Sequence, residues 1–352
     1  MRRRSFLKKS AIFSVAAAAG PNALIAKNQS LSADTKRIKP KRLQKGNTIG
    51  LITPGGYISE NELNDSIQNI EKLGFKPYYS DNMLARNGYL GGSDKQRSDD
   101  LNHMFMNDKV DGIICARGGY GCNRILPMID YNAIKANPKV LVGYSDITAL
   151  HNAIFTNTGL VTFHGPVAIS TFNDFSINNF VNVLMKPKVR YQFKHSDDYK
   201  KGGDYEIYTI REGKAKGKLI GGNLSIVVTL LGTSYDVDYK DKILYLEDVD
   251  EKPYRIDRML TELLLAGKLQ QVAGVALGVF RKCDKKVGSQ KGERTYSLKE
   301  VLFDRLYDLG VPVIYGLSFG HIENKYTLPF AIIAELDVMN QTITLEESAV
   351  LW

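Results

Sequence analysis

The chain has 352 residues, 43% hydrophobic and 24% charged, which excludes a disordered polymer and a small disulfide scaffold and points to about two globular domains rather than one core. The formal net charge of +9 falls to +4 once the five basic residues Arg2, Arg3, Arg4, Lys8 and Lys9 are set aside, too mild and dispersed for a nucleic-acid footprint. Three cysteines without a CxxC, and without a histidine at metal-ligand spacing, give no metal motif.

Arg3-Arg4-Ser5-Phe6-Leu7-Lys8 followed by the apolar run Ala11 to Ala19 has the form of a twin-arginine export signal. The run is short for a membrane span, so the expectation is a signal over 1–26, cleaved near Ala26, and a periplasmic protein with no membrane contact after its removal. Residues 27–45 read as a loose polar leader. "NTIGLITPGG" (47–56) is a strand ending in a Pro-Gly-Gly turn. "ISENELNDSIQNIEKLGF" carries helical spacing with a stop at Gly74, "KPYYSDNM" a second strand, and "SDKQRSDDLNHMFMND" a helix capped by Ser93 or Asp94. "VDGIICARGGYG" is a third strand ending in glycines, "NRILPMIDYNAIKAN" is helical, and Val140-Leu141-Val142 is a fourth strand that opens through Gly143-Tyr144-Ser145-Asp146 into a helix. This alternation predicts a parallel sheet covered on both faces over an N-terminal domain, 46–185.

Residues 186–205 are charged and read as a linker. The C-terminal domain, 206–352, offers "KILYLED" as a buried strand and "PYRIDRMLTELLLAG" as a helix with Pro253 early and Gly267 past its end. "VAGVALGVF" follows as a strand, Lys285-Lys286 as solvated loop, "SLKEVLFDRLYDLG" as a helix, "VPVIYGLSFGHIENKYTLPF" as a strand and loop, and a hairpin turns near Asn340. The second half therefore predicts a mixed α/β domain.

Chemistry is expected beyond the carboxyl ends of the strands. A sharp strand-to-helix turn can present the Ser145 hydroxyl, and the Asp146 N–H at the helix start can hold an oxyanion. A plain helix cap is the competing reading of both residues. Arg117-Gly118-Gly119-Tyr120-Gly121 is either a tight turn or an anion nest that completes an oxyanion hole. Its spacing matches neither the Walker loop nor GxGxxG. Of the five histidines, His103 and His195 read as surface and His151 lies on the helix after Ser145. His164 in "TFHGP" is a candidate for shaping a pocket, and His321 opens from an apolar strand into glycine and polar residues. Glu247 at the end of "ILYLED" needs a partner, either an imidazole or a salt bridge to Arg255 or Arg258. Cys115 reads as buried packing, with a Cys115–Cys122 bridge as the alternative.

Taken in order, "GLITPGG", "ARGGYG", "GYSDITAL", "TFHGP", "LIGGNLS", "LYLEDVDEKPYRIDRML" and "GLSFGH" resemble the L,D-carboxypeptidase family of serine peptidases, which includes muramoyltetrapeptide carboxypeptidases and microcin C immunity peptidases. The resemblance spans about Gly50 to the C-terminus. It implies an N-terminal domain similar to class I glutamine amidotransferases and a smaller C-terminal domain. It implies a catalytic set of Ser145, Glu247 and His321, an oxyanion hole from the N–H groups of Gly118, Gly119 and Asp146, and no metal or other cofactor. The implied partner is a murein tetrapeptide, cut between the L-centre of a diamino acid and terminal D-alanine. Arg117, Tyr120 and His164 are the expected substrate contacts, with Arg117 taking part of the terminal carboxylate or, as the competing reading, serving helix packing or a salt bridge across the domains. A homodimer is allowed but not dictated. Two other functions compete: an immunity-type hydrolase of peptide–nucleotide or acylated amine conjugates, and a muropeptide-binding protein without catalysis.

Overall fold

The computed structural model describes residues 36–197, 205–284 and 295–352. The export signal, its cleavage near Ala26, and Lys285-Lys286 lie outside the described residues. In the first half the strands are β1 (Thr48–Ile52), β2 (Lys76–Tyr79), β3 (Gly112–Cys115), β4 (Val140–Gly143) and β5 (Phe163–His164). They continue with β6 (Tyr191–Gln192), β7 (Tyr208–Arg211), β8 (Lys214–Asn223), β9 (Ile243–Val249), β10 (Gly274–Arg281), β11 (Val313–Tyr315), β12 (Leu328–Pro329), β13 (Ile333–Asp337) and β14 (Thr342–Leu345).

Two sheets result. The first runs β12-β5-β4-β3-β1-β2 and is parallel except where β12 adds antiparallel to β5. Every residue of β3 and β4 is buried, as a parallel strand covered on both faces requires. The second runs β6-β14-β13-β8-β9-β10-β11-β7, with a parallel centre from β8 to β11 and antiparallel flanks.

The helices follow local signals. Glu60–Lys72 starts with a capping box between Ser59 and Glu62, and Gly74 takes φ +87° just past its end. Asp94–Met106 is capped by Ser93 with Gln96. Pro253–Leu265 has Pro253 in its first turn, and Gly267 lies beyond its end at φ +67°. "NRILPMIDYNAIKAN" divides into Cys122–Ile125 and Tyr131–Ala136, because Pro127 lacks the N–H that a continuous helix needs.

Two expectations change. Residues 36–45 are not a loose leader: Ile38 bridges Leu160, Lys41 bridges Leu351, and Leu43 is buried. The expected linker contains the edge strand β6, paired with β14, and the buried Phe193. The two halves are packed closely: β12 returns from the second half to the first sheet, and Lys36–Trp352 forms one compact unit.

The joint between the sheets bears on the site. β8 ends in Gly221-Gly222-Asn223 against the helix Thr148–Thr158. Gly222 sits at φ +133°, and a Cβ there would come 2.4 Å from the Thr148 hydroxyl. Only glycine allows this approach. The Asn223 N–H then donates to Thr148 Oγ1 at 2.9 Å.

Candidate active site

The carboxyl ends of β3, β4, β9 and β10 converge on one cavity of about 890 Å³, together with the loop after β11. Ser145, Gly118, Gly119, Tyr144, His321, Arg117, Arg281 and Lys325 all line it.

Ser145 stands just past β4, after Tyr144, and has φ +65°. A non-glycine residue in the left-handed region carries strain, which the flanking buried strand and helix impose. A short 3₁₀ turn, Ser145–Ile147, leads into Thr148–Thr158, so the Asp146 N–H lies in a first turn without an intrahelical acceptor. The Asp146 side chain faces inward instead. Its Oδ2 accepts from the Cys122 N–H at 2.8 Å, and burial pushes its carboxyl above the usual carboxylate value against that hydrogen bond.

The glycine loop after β3 abuts Ser145. A Cβ on Gly118 would lie 2.8 Å from Ser145 Cβ and 3.1 Å from its Oγ. The Gly118 carbonyl accepts from the Gly56 N–H at 2.8 Å. A trans peptide turns the next N–H the opposite way, so the Gly119 N–H faces away from Gly56. Gly55 is equally constrained, since a Cβ there would meet the Gly118 oxygen at 2.3 Å and Asp146 Oδ2 at 2.8 Å. Behind both loops, the buried Arg97 donates to the carbonyls of Pro54 and Gly121 and pairs with Asp94.

Glu247 is fully buried near the end of β9. Its Oε2 lies 2.7 Å from His321 Nδ1. The neighbouring strand supplies a second contact: Asn223, paired with Glu247 across β8 and β9, donates Nδ2 to Oε1 at 3.3 Å. Burial pushes this carboxyl up, but the His321 ring and Asn223 outweigh it and hold it below the usual value. The salt-bridge alternative is not taken, because Arg255 pairs with Glu251. Gly320 at φ +111° is needed here too, since a Cβ would come within 3.0 Å of the Glu247 side chain. With Nδ1–H donated to Glu247, the Nε2 of His321 is the atom left to accept a proton.

Other expected residues sit differently. His164 does not line the cavity: it is buried, and its ring packs among Tyr144, Tyr245 and Phe319. Burial pushes its imidazole down to about 3, so it is a neutral packing group. It is buried because β5 is covered by β12 on its outer edge. Tyr120 also lies off this cavity, exposed beside Tyr89 and facing a second cleft with Tyr57. Arg117 lines both clefts but pairs with Glu62 at 3.2 Å. His151 is buried and donates through Nε2 to the Gly143 carbonyl at 2.9 Å. His103 is exposed beside Tyr78, and His195 is half-buried against the Gln341 carbonyl. Cys115, Cys122 and Cys283 are buried free thiols.

Four residues escaped the sequence reading: Tyr144, Asn223, Arg281 and Lys325. Asn223 stood in "LIGGNLS" with no role attached. Tyr144 lay beside the candidate serine, but its exposure depends on the loop that carries His321.

A serine under strain, glycine amides beside it and an imidazole on a buried carboxylate suit acyl transfer, and known proteins bear on that chemistry. Residues 49–165 match the model of the LD-carboxypeptidase N-terminal domain, and residues 216–336 match that of its C-terminal domain. The chain belongs to the LD-carboxypeptidase family. It is a serine carboxypeptidase of mixed α/β fold. It is 38% identical to a probable murein peptide carboxypeptidase of Bacillus subtilis over 88% of this chain and 94% of the relative. It resembles the structure of the microcin C7 self-immunity protein MccF with a TM-score of 0.79 at 26% identity, covering 89% of this chain and 100% of that one. It also resembles a muramoyltetrapeptide carboxypeptidase from Oxalobacter formigenes, with a TM-score of 0.71 at 28% identity over 85% and 98% of the two chains. No helix among the described residues is long and apolar enough to cross a membrane.

Proposed function

We propose that this carboxypeptidase hydrolyses the bond between the L-centre of a diamino acid and terminal D-alanine in murein tetrapeptides, using Ser145, His321 and Glu247. Ser145 Oγ attacks the scissile carbonyl while His321 Nε2 takes its proton. The oxyanion rests on the N–H groups of Asp146 and the Gly118-Gly119 loop. His321 then passes the proton to the departing amine and the acyl–serine forms. Water, deprotonated by the same imidazole, attacks the ester and releases the shortened peptide. Glu247 holds Nδ1–H throughout and stabilises the imidazolium. The twin-arginine segment supports export, so the enzyme acts beside the cell wall.

The observation that carries this reading is the 2.7 Å contact of His321 with the buried Glu247, on the wall shared with a left-handed Ser145. Ser145→Ala is expected to lower D-alanine release by about 10⁶-fold without loss of fold. Native-rate release by the purified variant contradicts the proposal. The likeness to MccF, which has been seen with aspartyl sulfamoyl adenosine, favours a second reading, hydrolysis of peptide–nucleotide or acylated amine conjugates by the same residues. Assay of a defined tetrapeptide beside an aminoacyl sulfamoyl nucleoside separates the two.

A further inference from the structure

Carboxypeptidase action demands a receptor for the terminal carboxylate, and its place follows from the chemistry. The leaving amine takes its proton from His321. Its carboxylate carbon lies two bonds from that nitrogen, about 2.5 Å away. The receptor therefore flanks His321. Among the described residues three cations line the cavity: Arg117, Arg281 and Lys325. Arg117 stands beside Gly118 and already holds Glu62.

Lys325 differs. It is 5% exposed. Its ammonium sits 4.5 Å from the Tyr144 ring centroid, and that ring meets the His321 ring at 4.9 Å. Among the described residues no carboxylate lies within ion-pairing distance of it. The loop is held in place, because the Lys325 N–H donates to Ser176 Oγ, which donates to the Glu323 carbonyl. Arg281, at the end of β10, donates to the His321 carbonyl at 3.2 Å and stands on the same wall. A buried cation without a counter-charge is costly. Burial pushes its pKa down to about 8, against the attraction of Glu247.

We propose that Lys325, flanked by Arg281, receives the α-carboxylate of the departing residue and so restricts the enzyme to chain ends. This rests on the reading of the substrate as a tetrapeptide acid. An anionic terminus supplies the ion pair that Lys325 lacks, whereas a continuing chain or an amide leaves the ammonium buried and unpaired.

The test compares L-Ala-γ-D-Glu-meso-diaminopimelate-D-Ala with its C-terminal amide, in wild type, Lys325→Met and Lys325→Arg. Wild type is expected to favour the acid, and Lys325→Met to lose about 30-fold in kcat/KM on the acid, chiefly through KM. The acid-to-amide ratio of kcat/KM should fall toward one in Lys325→Met, and Lys325→Arg should keep the preference for the acid. Equal losses on acid and amide, or a wild type indifferent to the terminal charge, overturn the proposal and leave the assigned reaction standing. A wild type that releases no D-alanine from the acid overturns the reaction and the receptor together. If Lys325→Met does not fold, the wild-type ratio and Lys325→Arg decide alone.

Discussion

Lys325 carries its charge in a buried setting. Burial is the main cause of its lowered pKa of about 8; Glu247 and Glu323 pull the other way and Arg281 reinforces the drop. Also facing it are His321 and the phenol of Tyr144, which burial pushes up to about 12 and keeps neutral. The sign follows directly. Above pH 8 the folded enzyme loses the ammonium, so KM for a peptide acid should rise with pH toward the roughly 30-fold loss expected of Lys325→Met. A pH series of kcat/KM should show this limb for the acid and not for the amide, and Lys325→Arg should abolish it; a limb common to both substrates contradicts the assignment. None of this was legible in "HIENKYTLPF", because nothing in that string says that Tyr144 lies beneath the lysine. Ser145, Glu247 and His321 could be singled out because each stands at an abrupt apolar-to-polar boundary, but that boundary left a helix cap and a salt bridge as competing readings, and only the family resemblance implied a joint role. His164 stands at a similar boundary and was misread as a pocket residue; the covering strand β12 lies more than 160 residues further along the chain.

At the scale of elements, the loops around Ser145 are braced from behind. Arg97 projects from the helix Asp94–Met106 into the interior and satisfies two carbonyls, one on each glycine loop. Removing it strands both carbonyl acceptors, while Asp94 keeps its pairing with Arg124. Arg97→Met is therefore expected to destabilise the fold by about 3–5 kcal/mol in urea titration. Arg124→Ala removes the other, more exposed partner of Asp94 and should cost much less, since solvent screens the pair. Equal effects would contradict the bracing role. The helix itself was readable from Ser93 and Gln96, because a capping box acts within four residues. The edge strand β6 was not, since two residues carry no period and its identity comes from β14.

At the scale of the whole molecule, Ser145 and His321, the proposed nucleophile and base, come from different sheets, and Gly222 lies at the joint between those sheets. From Ser145 the helix start carries Thr148, whose hydroxyl accepts from Asn223, which in turn donates to Glu247. Gly222→Ala drives a methyl into Thr148 and is expected to lower kcat by about 10²-fold with little change in KM, as a displacement near 1 Å between reacting groups does. A variant with native kcat would show that the sheets find their register elsewhere. Local chemistry in the chain determined the alternation of strands and helices, the caps, and which polar residues end buried strands, because period and capping act over a few neighbours. Tertiary structure alone decided that 36–45 packs down, that β12 crosses to the first sheet, that His164 is covered, and that Lys325 stands beside His321. Those outcomes depend on contacts between segments far apart in the chain, where burial and charge are set by whatever arrives on the other side.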